Sequence, residues 1–331
     1  MNAHRGFLLL ATLAAATSAV LTPAFLTPVV VTPALGQTAP AAIPDFSGIW
    51  GHPYLFPSIE QPLSGPGPLL NKYRRKQTVD PDGKPLPATP ERFAGDNNRL
   101  AADYTNPLLK PHAAEAVKRH GEIELSGAAA PNPSNQCWPE PVPYIFWSFG
   151  IQILQQGDKV TILYDEDHEF RQVRLNAQHP AQVTPSWYGD SVGRYEGDTL
   201  VIDTIAFKVD RPFAMVDMFG TPYTKALHVV ERYRLIDPDV AKAAQEHASK
   251  ELWRLPGAAD GWAPDLTYKG KGLQLEFTVE DDGVFTAPWK ALMTYRRAAA
   301  GGWPETVCAE NRYEYYAGKD TAVPRADKPD F

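Results

Sequence analysis

Two ionisable side chains fall on the apolar faces of β-patterned segments. In His228–Leu235 the alternation puts Val229, Glu231, Tyr233 and Leu235 on one face and His228, Val230, Arg232 and Arg234 on the other. Successive strand residues point to opposite sides, so burying the apolar face takes Glu231 inward. In Glu169–Leu175 the face carrying Val173 and Leu175 also carries Arg171. A buried carboxylate and a buried guanidinium are costly unless paired. Arg171 and Glu231 are therefore expected to share one interior. Beside an open cavity, Glu231 can move a proton and Arg171 can hold an anionic group or oxyanion. In a filled core the same two residues form a structural salt bridge that plugs it.

Other residue types offer further chemistry. Beyond residue 36 the histidines are His52, His112, His120, His168, His179, His228 and His247. None has His-x-His or His-Glu-x-x-His spacing, so no local metal motif is present, and no metal or organic cofactor is expected. His168 and His228 stand at strand starts, where a barrel mouth would place an acid–base imidazole. Gly189-Asp-Ser191-Val-Gly193 matches the Gly-x-Ser-x-Gly string of a nucleophile elbow. That elbow needs a strand before it and a helix after it. Here a hairpin of strands follows, so the glycines are expected to shape a turn. Aromatic side chains supply large apolar contact surfaces. Trp138, Tyr144, Phe146, Trp147 and Phe149 crowd one segment, and Trp187 and Tyr188 precede another strand. Trp50, Trp147, Trp187 and Arg171 are the candidate ligand contacts.

These residues must be positioned by strands. From Ile151 onward, alternation marks strands at Ile151–Leu154, Val160–Tyr164, Phe170–Leu175, Arg194–Tyr195, Thr199–Ile205, His228–Leu235, Leu273–Val279 and Trp289–Tyr295. Gly157, Gly197 and Gly283 sit between neighbouring strands, where tight turns need a positive φ. Strands joined without intervening helices predict an antiparallel sheet, curled into a barrel or sandwich. Asp239–Glu251 reads as a helical insertion. Upstream, proline sets the texture: 18 of the 32 prolines lie between residues 40 and 143. Proline removes a backbone donor and breaks helix and sheet alike. Residues 37–143 thus read as an arm with a first strand and one helix near Pro107–His120, and residues 144–331 as the β domain that the arm joins.

The N-terminus reads as an address. Residues 1–36 lack Asp and Glu, start with His4 and Arg5 and continue into an apolar run, the layout of a secretory signal peptide. Pro23, Pro28 and Pro33 interrupt that run, and an uncleaved anchor needs about 20 unbroken apolar residues. No other run is long enough to span a bilayer, so the processed chain is expected to be periplasmic or secreted, without a stable membrane span. Cys137 and Cys308 are the two cysteines. In an exported chain an even count predicts a disulfide, with two free buried thiols as the alternative. The formal charge of −7 argues against a nucleic-acid partner.

Asp45-Phe-Ser-Gly48-Ile-Trp50 resembles the Gly-x-Trp opening of lipocalins and calycins. Gly189-Asp-Ser-Val-Gly-Arg-Tyr-Glu-Gly-Asp-Thr-Leu-Val-Ile-Asp-Thr204, His168–Arg171, His228–Arg232 and Cys308-Ala-Glu-Asn311 resemble segments of a family of exported bacterial proteins, with Tyr195 where tryptophan is expected. That resemblance implies a shared fold and compartment and carries no activity. The leading expectation is a mainly β, lipocalin-like antiparallel barrel or sandwich that binds a small apolar or aromatic molecule in its cavity. One alternative is a cofactor-independent lyase, isomerase or hydrolase on that scaffold, using Glu231 or a mouth histidine with Arg171. The other is a structural envelope protein with a plugged barrel.

Overall fold

The computed structural model describes residues 43–52, 55–56, 59–72, 100–126, 128–148, 150–166, 169–251, 253–254, 267–298 and 307–308. Residues 1–36, His168 and Phe149 lie outside this set. Strands β1 (Gly48–Gly51) and β2 (Leu55–Phe56) precede helix α1 (Pro111–Leu125). Next come β3 (Gly150–Gln155), β4 (Lys159–Tyr164), β5 (Phe170–Leu175), β6 (Asp190–Glu196), β7 (Thr199–Ile205) and β8 (His228–Ile236). Helix α2 (Pro238–Glu251), β9 (Trp253–Arg254), β10 (Gly272–Glu280) and β11 (Trp289–Arg297) follow.

All strands except β2 and β9 close into one barrel, each beside its neighbour in sequence, with β1 joining β11 to β3. The ring holds nine strands. Strand direction cannot alternate all the way round an odd ring, so one neighbouring pair must run parallel. That pair is β5–β6, which makes the barrel mixed where an all-antiparallel sheet was expected. A parallel pair needs a crossover, and residues 176–189 provide it. The ladder at this seam pairs only Arg174 with Val192 and Leu175 with Gly193, whereas β6 and β7 pair along their whole lengths.

Period-two phase sets the interior. Ile151, Ile153, Val160, Ile162, Val173, Leu200, Ile202, Val229, Tyr233, Leu273, Leu275, Phe277 and Met293 are buried. Gln155, at the end of β3, links three segments. Its amide oxygen accepts the Phe46 N–H at 2.6 Å and its amide nitrogen donates to the Tyr195 phenol at 2.8 Å. Phe207, Phe219, Tyr223, Phe285 and Trp289 belong to the same continuous core. Arm residues tie onto the loop between β10 and β11: Lys110 N–H donates to Val284 O and Thr286 N–H to Leu108 O. Helix α1 starts at Pro111, later than expected, because Asp103–Leu109 forms hydrogen-bonded turns first. Gly121 lies inside this helix, where a β-carbon would meet Ala101 at 3.1 Å, and not beyond its end. Helix α2 packs on β10 and β11. No helix among the described residues is long and apolar enough to cross a membrane.

Candidate functional site

The expected convergence of Arg171 and Glu231 occurs. Arg171 Nη1 and Nη2 donate to Glu231 Oε1 and Oε2, each at 2.6 Å, with side-chain exposures of 3% and 0%. Hydroxyls add to the shell, and Arg171 Nε is left buried without a partner. Tyr233 donates its phenol proton to Glu231 Oε2 at 2.9 Å, while Arg171 donates to Thr204 Oγ1 at 3.1 Å and to the Tyr164 phenol oxygen at 3.0 Å. Burial opposes the guanidinium charge, but the facing Glu231 carboxylate holds it protonated. Burial also pushes the Tyr164 and Tyr233 phenols above their ordinary range. This is the paired, filled-core outcome. A buried Glu231 carboxylate held by a bidentate partner matches the structural salt bridge rather than an open acid–base site.

The other expected residues do not join this pair. Ser191 is buried within β6, 2.9 Å from Thr204 Oγ1 and inside the barrel, not on an elbow. His228 faces outward from β8, opposite in phase to Glu231. Its Nε2 lies 3.1 Å from Asp203 Oδ1 and its Nδ1 3.4 Å from Glu280 Oε2. Hydrogen bonding to Asp203 raises its pKa against the opposing effect of burial. Trp50 is buried in the core and donates its indole N–H to Phe46 O at 2.7 Å, so the ligand role expected of it gives way to packing. Trp147 donates to Glu140 Oε2 at 2.8 Å.

A cleft forms where β5 and β6 are unpaired. Its volume is about 660 Å³. One wall comes from Glu169–Gln172, another from Ser186, Tyr188 and Gly189, and the rest from Cys137–Pro139 with Val307 and Cys308. The expected disulfide joins Cys137 to Cys308, so it belongs to this wall. Gly189 has φ +73°, and a β-carbon there would lie 2.6 Å from Ile205 O. Glycine thus allows the crossover to turn sharply into β6 beside the cleft. Trp138 stacks on Trp187 with centroids 5.5 Å apart, and the Arg211 guanidinium sits 4.5 Å from the Trp187 ring. Trp187 therefore backs the wall, one layer behind Trp138. Both carboxylate oxygens of Glu169 accept the Glu140 N–H, at 3.0 and 3.1 Å. Burial first, then the adjacent Glu169 carboxylate, keeps the Tyr188 phenol protonated well above its ordinary range.

Sequence reading missed the cleft, although it singled out Arg171, Trp187, Tyr188 and the two cysteines. The missed signal was the strand count: a ring of nine must contain a parallel seam. Among the described residues no cluster of His, Cys, Asp or Glu could hold a metal ion. Fold and cleft together define a class, a plugged nine-stranded β-barrel with a lateral cleft at its parallel seam. No protein-family model, curated protein or solved structure matches the chain.

Proposed function

We propose that this is an exported binding protein that takes a small molecule with an aromatic or apolar part into the cleft at the β5–β6 seam. The barrel serves as the rigid scaffold. The observation that carries the reading is the cleft itself, about 660 Å³ and walled by Trp138, Phe170, Tyr188 and the disulfide. That volume lies within the range of small-molecule pockets, and rings on rigid supports are the usual lining of such sites. Export is supported by the disulfide, since such bonds persist in oxidising compartments. It is supported also by the acid-free N-terminal run and by the segments resembling exported bacterial proteins.

Tryptophan fluorescence tests the site. Titration with aromatic probes is expected to shift the emission of the parent protein, and Trp138→Ala is expected to weaken binding by about tenfold, as loss of a buried aromatic contact does. Native mass spectrometry of protein purified from its own compartment should detect a retained small molecule. Absence of any retained molecule, with probe titrations identical in parent and Trp138→Ala, removes the cleft as a binding site.

A further inference from the structure

We propose that the ligand of this cleft carries a cationic nitrogen, an ammonium or quaternary ammonium group, held over Trp138 and countered by Glu169. This rests on the cleft being a binding site at all and adds the charge of its occupant.

Three observations lead there. First, the cleft wall combines the rings of Trp138, Phe170 and Tyr188 with the Glu169 side chain. An aromatic face attracts a cation through its quadrupole, and a nearby carboxylate adds Coulomb attraction. Second, Arg171 is the cationic residue lining the cleft, and its charge is already taken by the bidentate contact with Glu231. Its Nη groups are thereby unavailable to an anionic ligand, and its Nε is buried without a hydrogen-bond partner. Third, the protein already uses the neighbouring ring as a cation platform. The Arg211 guanidinium and Lys208 Nζ lie 4.5 and 5.2 Å from the Trp187 centroid, and Trp187 stacks on Trp138.

The Tyr188 phenol senses both signs of charge. Tyr188, in the cleft wall, reports on the charges around it. After burial, Glu169 and Glu140 raise its pKa, and the opposing pull of Arg211 is the smallest of the contributions. Ammonium groups keep their charge at neutral pH and quaternary ones at any pH.

The test compares three probes on the full processed protein by calorimetric titration: benzyltrimethylammonium, its neutral carbon isostere neopentylbenzene, and phenylacetate. The cation is expected to bind at least about fivefold tighter than the neutral isostere, and the anion weakest. Glu169→Gln keeps an oxygen to accept the Glu140 N–H. It is expected to weaken the cation about fivefold while leaving the neutral isostere within about twofold. Retained isostere binding also shows that the variant is folded. Trp138→Phe should weaken the cation more than the isostere, because indole is the better cation acceptor. Neutral or anionic probes binding as tightly as the cation, or Glu169→Gln affecting both uncharged and charged probes alike, overturns the cationic assignment and leaves the cleft as a site. No binding of any probe overturns the assignment together with the site beneath it.

Discussion

At the scale of single residues, the Arg171–Glu231 pair is a buried, bidentate ion pair inside the barrel. Its value lies in mutual satisfaction, since either partner alone would be a charge stranded away from water. Glu231→Leu or Arg171→Met is expected to cost about 3–5 kcal/mol in urea unfolding. The double variant should recover at least half of the single-variant loss, because it removes both charges together. A double variant as unstable as the sum of the singles would show that the two side chains act independently. His228 gives a pH-dependent counterpart on the outer wall. Its pKa is raised in the folded chain by hydrogen bonding to Asp203. The stabilisation is thus complete below the unfolded histidine value of about 6.5 and fades as pH rises through the higher folded value. Thermal midpoints should decline over that upper window, and His228→Asn should flatten the decline. Which residues face inward was readable from alternation. The contact between Arg171 and Glu231 was readable only as a cost needing relief, because alternation gives a face and not a partner across the barrel.

At the scale of elements, the β5–β6 seam is where the barrel departs from its own pattern. Side chains from β5 reinforce the short ladder on both faces. Arg171 reaches Thr204 and Glu231 inside, and Arg174 makes a bidentate contact with Asp190 outside, at 2.6 and 3.0 Å. The crossover is held by His179, whose ring nitrogens lie 2.6 Å from Asp190 Oδ2 and 3.1 Å from Asp203 Oδ1. It then turns into β6 at Gly189. Gly189→Ala forces a side chain into a left-handed backbone, costing about 1–3 kcal/mol before the clash with Ile205 O is added. Urea midpoints measure the loss, and a variant as stable as the parent would mean the turn can relax at no cost. Strands β3, β4, β5, β7 and β8 and helix α2 were legible because each carries its own period; of β6 only Arg194–Tyr195 was, because Gly189 and Gly193 read as a turn. The shift of α1 to Pro111–Leu125 was not. Two prolines, Pro107 and Pro111, compete for the first helical position, and tertiary hydrogen bonds from the 284–286 loop to the arm decide between them.

At the scale of the whole molecule, the disulfide ties Cys308 back to Cys137 across a sequence separation of 171 residues. Chain-entropy arithmetic for so long a loop sets an upper bound of about 5 kcal/mol. Cys308→Ser is expected to lower the calorimetric Tm by about 5–15 °C, and the parent scanned with reductant should fall to the same value. An unchanged Tm in both would make the bond irrelevant to global stability, leaving it as a wall of the cleft. Composition and period alone determined that this chain is mainly β, that its prolines gather in an arm, and that a carboxylate and a guanidinium turn inward. Those are local properties, written in spacing and residue type. The tertiary structure decided the rest: nine strands in the ring, and hence one parallel seam. It also set the pairing that fills the interior and the lateral position of the cleft. Ring closure is a constraint on all the strands at once, and no segment of the sequence carries it alone.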